Sequence, residues 1–141
     1  MALIETDDQI TALLRTMKRI AVLGIKTAET GAPAYYVPEY AQRGGMTIVP
    51  VPVYYPEVTE ILGEPVYRRL ADIPGELDSV VVFRRPSDIP AHLEDILAAK
   101  PRSVWMQLGI RHAEVAATLS AAGIAVVQDR CLLVEMQDRG L

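Results

Sequence analysis

Hydrophobic positions along the chain change their period repeatedly. Ile10, Leu13, Leu14 and Met17 recur at i, i+3, i+4 and i+7, the apolar stripe of a helix spanning about residues 7–18. Thr6, Asp7 and Asp8 precede it and supply a cap and the negative charge favoured at a helix start. Ile20-Ala21-Val22-Leu23 then forms a short unbroken apolar run, as in strands covered on both faces, and Gly24 ends it. Tyr35 to Arg43 reads as a second helix, stopped by Gly44-Gly45. With a start near Ala34, Pro38 falls in or just past the first turn, where amide hydrogens have no intrahelical partner. Thr47-Ile48-Val49-Pro50-Val51 predicts the next strand, with proline at its end.

Residues 52–74 are broken by Pro52, Pro56, Gly63, Pro65 and Pro74, leaving room for one short strand around 65–67. Ser79-Val80-Val81-Val82-Phe83 is the clearest strand in the chain. Arg84-Arg85-Pro86 follows, then Ser87 as a helix cap, with Ile89, Leu93, Ile96 and Leu97 as the buried stripe and Pro90 in the first turn. Ser103-Val104-Trp105-Met106 is another strand, closed by Gln107-Leu108-Gly109. Helical spacing returns from Arg111 to Ala122 and ends at Gly123, and Ile124-Ala125-Val126-Val127 leads to Asp129-Arg130-Cys131. Strands and helices thus alternate. The expected fold is α/β, a doubly wound parallel sheet of about five strands with helices on both faces, in a single domain over residues 1–141.

Composition narrows the function. Half of the residues are apolar and 23% are charged, which is globular composition. A net charge of −4 argues against a general nucleic-acid binder. The single cysteine, Cys131, forms no internal disulfide, and the acidic start is unlike a basic signal peptide. No apolar run approaches the roughly 18 residues a membrane span needs. These features predict a cytoplasmic protein that engages neither membrane nor nucleic acid. His92 and His112 lack partners at metal-ligand spacing, and His112 reads as a surface residue at a helix start. Glu94-Asp95 and Asp7-Asp8 are sequence neighbours that point apart on a helix, so neither is an acid–base pair.

In such a sheet ligands bind beyond the carboxyl ends of the strands, where strand order reverses. The strand-end loops bring Lys26, Arg84, Arg85 and Arg130 to one rim of an otherwise acidic protein, which implies an anion site. A dinucleotide fingerprint needs G-x-G-x-x-G and an acidic residue after the second strand. Here Gly24 is followed by Ile25 and Lys26, the next glycine is Gly31, and no carboxylate follows Val49, so an ordinary NAD site is disfavoured. The loop can still hold pyrophosphate through amides at a helix start, with Lys26 adding charge. Arg84 and Arg85 supply paired donors suited to phosphate. Tyr54 and Tyr55, after the second strand, are placed to stack on an adenine.

Several segments together resemble a known family: Val22-Leu23-Gly24, Tyr36-Val37-Pro38, Ile48-Val49-Pro50-Val51, Leu62-Gly63-Glu64, Val82-Phe83-Arg84-Arg85-Pro86, Trp105-Met106-Gln107-Leu108-Gly109-Ile110 and Asp129-Arg130-Cys131. They look like the small single-domain CoA-binding proteins, themselves similar to the CoA-binding domain of the succinyl-CoA synthetase alpha subunit. The resemblance runs from about Ile20 to Glu135. It implies coenzyme A or an acyl-CoA lying across the strand ends. Gly24, Ile25, Lys26 and Thr27 would then line the phosphates, with Pro33 at the start of the second helix. Pro50, Val51 and Pro52 would flank the adenosine part, Phe83, Arg84 and Arg85 would contact the cofactor, and Gln107 would share the rim. Two positions depart from the family pattern. Ala32-Pro33-Ala34 stands where the family usually carries Arg-Pro-Ser or Arg-Pro-Ala, and Pro50-Val51-Pro52-Val53 where it usually has Pro-Val-Asn-Pro.

No set of nucleophile, base and orienting group appears, so the expectation is a binding module that is not an enzyme on its own. Two rivals stay open. One is a nucleotide-dependent enzyme subunit, either a CoA ligase component or an NAD(P)-dependent oxidoreductase, needing a partner chain for catalysis. The other is a redox-sensing or scaffolding protein using Cys131, although a lone cysteine is more often a small buried apolar residue. A protein partner or a homo-oligomer is compatible with all three.

Overall fold

The computed structural model describes residues 3–141. Five parallel strands form the main sheet: β1 (Arg19–Leu23), β2 (Thr47–Val51), β5 (Ser79–Val82), β6 (Ser103–Met106) and β7 (Ala125–Val127), in the order β2-β1-β5-β6-β7. The two-residue strands β3 (Glu60–Ile61) and β4 (Glu64–Pro65) pair as a separate antiparallel ribbon. Alternate strand residues feed two cores. Ile20, Val22, Ile48, Val81, Trp105 and Val127 pack against α1 (Asp7–Thr16), α2 (Pro33–Arg43) and α5 (Leu132–Gln137). Ala21, Leu23, Val49, Val80, Val82, Val104 and Met106 pack against α3 (Leu93–Ala99) and α4 (Ala113–Ala121). The sheet is therefore doubly wound, as the apolar runs predict.

Thr6 caps α1 through a reciprocal pair with Gln9, and the helix ends at Thr16, two residues before the expected limit. Just beyond it, the amides of Lys18 and Arg19 both donate to Asp78 Oδ2, at 2.9 and 2.8 Å, which registers β1 beside β5 at the sheet's lower end. β2 is an edge strand. Its Val51 carbonyl accepts from Gly24 on the β1 side, while Pro50 faces outward and its carbonyl accepts from Tyr67. Proline sits inside this strand because its missing amide points away from the ladder. Pro50 and Val51 are thus buried strand residues, as the sequence predicts.

Pro38 lies in the second turn of α2, deeper than expected, because the helix begins at Pro33. Proline leaves the Ala34 carbonyl without its helical donor, and the backbone amide of Lys26 takes that place at 3.2 Å. After β5 the chain does not enter an α-helix at Ser87. Residues Pro86–His92 form a 3₁₀ segment and α3 starts only at Leu93, since Pro90 has no amide to donate. Helix α5 and the β3–β4 ribbon were not anticipated from the sequence. The expected strand at 65–67 survives as Pro65 in the ribbon, the Val66 amide bonded to the Thr59 carbonyl and the Tyr67 bond to β2. Among the described residues, no helix is long and apolar enough to cross a membrane.

Candidate functional site

Strand order reverses between β1 and β5, and the loops leaving the upper ends of β1, β5, β6 and β7 surround a pocket of about 540 Å³. Lys26 comes from the first loop, Phe83, Arg84, Arg85 and Pro86 from the second, Gln107, Leu108, Gly109 and Ile110 from the third, and Cys131 from the last. Pro33, Ala34 and Tyr36 close it from the first turn of α2. This is the position the topology predicts for a ligand.

Gly24 makes the geometry feasible. Its φ is +87°, and a Cβ there would overlap the Phe83 carbonyl oxygen and stand 3.1 Å from its carbon. Only glycine lets the two strand ends approach so closely.

The two arginines are arranged around one carboxylate. Arg85 Nε donates to Asp88 Oδ2 at 2.8 Å, and Arg84 Nη2 stands 3.7 Å from the same oxygen. Arg84 Nε also donates to His92 Nε2 at 3.2 Å, and its guanidinium lies 5.8 Å from the Tyr54 ring centroid. Arg84 is held, with its side chain 15% exposed, whereas that of Arg85 is 80% exposed and bonded to Asp88 at the surface. Lys26, Arg84 and Arg85 against Asp88 leave the mouth net positive on an acidic chain. Burial holds the His92 imidazole below its ordinary protonation range, with the Arg84 charge adding to the effect. Asp88 is held low by its hydrogen bond from Arg85.

Of the residues proposed from sequence, Lys26, Pro33, Phe83, Arg84, Arg85 and Gln107 meet in this pocket. The others do not line it. Gly24 and Ile25 are buried beneath it, with the Gly24 amide committed to Val51 and that of Lys26 to Ala34, so two of the four amides expected at phosphate are used structurally. Thr27 turns to a neighbouring cleft with Glu29, Tyr35 and Glu60. Pro50, Val51 and Pro52 are buried in and just after β2. Arg130 leaves the cationic group altogether. Its Nη2 donates to the Glu5 carbonyl at 2.8 Å and its Nη1 pairs with Glu135 at 3.4 Å, drawing it toward the N-terminal segment.

The Asp129-Arg130-Cys131 segment has a different task, which sequence reasoning missed. Trp105 Nε1 donates to the Arg130 carbonyl at 2.8 Å, and the Gly109 amide donates to Asp129 Oδ1 at 2.6 Å. The Leu132 amide donates to Gln107 Oε1 at 3.0 Å. The segments over residues 105–110 and 129–131 are thus bonded to each other, and together they set Gln107 and Cys131 on the pocket wall. Their joint presence, on neighbouring strands, was the available signal. Cys131 is half-buried. His112 caps α4, its Nδ1 accepting from the Val115 amide at 3.2 Å. Among the described residues, no three His, Cys, Asp or Glu side chains cluster to hold a metal.

Comparison with solved structures agrees with this architecture. The chain is 40% identical to a Thermus thermophilus protein described as cell-free ID.343, with a TM-score of 0.86 over 95% of this chain and 98% of that one. A hypothetical protein from Pyrococcus horikoshii OT3 is 27% identical, with a TM-score of 0.85 over 95% of this chain and 92% of that one. The dinucleotide forming acetyl-coenzyme A synthetase 1 of Ca. Korarchaeum cryptofilum is 16% identical, with a TM-score of 0.64 over 81% of this chain and 26% of that one, which is likeness of fold. The sequence profile of the CoA binding domain matches residues 18–137. By that match the chain belongs to the CoA-binding domain family.

Proposed function

We propose that this protein binds coenzyme A or an acyl-CoA in the pocket at the strand ends and is not catalytic by itself. Lys26, Arg84 and Arg85 meet the phosphates, and the apolar walls from Pro33, Phe83, Leu108 and Ile110 take the uncharged arm. The observation that carries the reading is the pocket itself: three cations from the loops after β1 and β5 converge on one mostly apolar hollow, in a chain of a CoA-binding family. Charge-assisted bonds of this kind contribute about 1.5–3 kcal/mol each. Tyr54, 58% exposed and with the Arg84 guanidinium 5.8 Å from its ring centroid, stands outside the pocket lining but near enough to Arg84 to offer an aromatic face to an adenine.

Thermal shift tests the proposal. A ligand at about 100 times its Kd adds about 2.7 kcal/mol, which is several degrees in a chain of this size. The expected order is a clear shift with CoA, a smaller one with dephospho-CoA and little with NAD. A shift with NADPH alone would instead support an oxidoreductase.

A further inference from the structure

The pocket changes character across the sheet. Its charged side comes from the ends of β1 and β5, while Gln107, Leu108, Ile110 and Cys131 build the side over β6 and β7. Neighbouring strands stand about 4.8 Å apart, so this second side lies progressively farther from the cations. A ligand made only of phosphates and a nucleoside would leave it empty. Gln107 is 4% exposed, yet its side chain is only half used. The Leu132 amide requires an acceptor, which fixes Oε1 as its partner and turns Nε2 to the pocket. That Nε2 donates to no group among the described residues. Nε2 is not among the buried unpartnered atoms and so stays open to the pocket, where an uncharged amide donor among apolar walls suits a carbonyl oxygen better than a phosphate.

We infer that Gln107 Nε2 marks a subsite for a carbonyl oxygen, amide or thioester, on the neutral arm of the ligand. This inference rests on the reading under Proposed function and adds a second recognition point, separate from the phosphates. Cys131 lines the same side and reports its occupancy.

The test is titration calorimetry of the parent and Gln107→Glu with adenosine 3′,5′-bisphosphate, CoA and acetyl-CoA. Glutamate keeps an acceptor for the Leu132 amide and removes the N–H donors. The added carboxylate charge is expected to weaken all three ligands modestly, and the arm-bearing ligands should lose about five- to tenfold more than the bisphosphate in the variant. Weakening of CoA and acetyl-CoA alike assigns an amide carbonyl, and weakening of acetyl-CoA alone assigns the thioester. Equal weakening of all three ligands, or of none, overturns the inference. A second measurement needs no variant: S-ethyl-CoA should slow iodoacetamide labelling of Cys131 in the parent at least tenfold, and the bisphosphate should not. Equal labelling rates with the two ligands also overturn it. A parent that binds the bisphosphate as tightly as CoA defeats this subsite alone, whereas a parent that binds none of the three defeats the proposed function.

Discussion

Arg84 Nε donates to Nε2 of His92 at 3.2 Å, a bond that only the neutral imidazole can accept. His92 also feels Asp88 and Asp95, but burial and the Arg84 charge outweigh them and keep its pKa below the usual 6.5. The unfolded chain therefore takes up this proton first. Native stability should fall as pH drops from about 6.5 to the lowered value, and be complete above that window. Urea unfolding at pH 7.5 and 5.5 should show the loss, and His92→Gln should reduce it. Asp88 and Asp129, both held low by hydrogen bonds, act in a separate window below the ordinary carboxylate range.

Gly24→Ala should destabilise the fold by about 2–4 kcal/mol, combining a left-handed φ with backbone overlap at Phe83. The denaturation midpoint should move with an unchanged m-value. A change under about 0.5 kcal/mol would mean that the β1 and β5 ends part without penalty.

The two adjacent arginines should separate in their effects. Arg85→Ala removes an exposed side chain whose solvent-screened surface pair adds little, so Tm should barely change while CoA affinity and its salt dependence fall. Arg84→Ala should weaken binding and also cost about 1–3 kcal/mol of stability, because the partly buried His92 loses its donor. Calorimetry at two salt concentrations, paired with thermal melts, checks both.

Ser79 and Ser103 start adjacent strands and are both fully buried, but only Ser103 is bonded, its Oγ donating to the Asp78 carbonyl at 2.8 Å. Ser79 Oγ has no partner among the described residues. Ser103→Ala should cost about 1 kcal/mol, while Ser79→Ala should be neutral or stabilising. Thermal denaturation of the two variants side by side decides this.

Much of the fold was legible because each central strand is an unbroken apolar run and each long helix carries a periodic stripe. Helix α5 was not, for it has six residues and begins after Cys131 without a side-chain cap. What fixes its start is the long-range bond between Leu132 and Gln107. Pro50 did not disturb the expected strand over 47–51, being harmless on the outward side of an edge strand, whereas Pro90 turns an expected α-helix into a 3₁₀ segment. At the site, Lys26, Arg84 and Arg85 were legible as strand-end residues. Arg130 shares that description, but its partner Glu5 is 125 residues away and no local pattern announces it.

The most direct test of the account is a crystal structure of the protein soaked with CoA. Density for the pyrophosphate should lie within hydrogen-bonding reach of Lys26 and of Arg84 or Arg85, with the arm running over Gln107 toward Cys131. A nucleotide seated instead in the cleft beside Thr27 and Glu60, with the strand-end pocket unfilled, would contradict it.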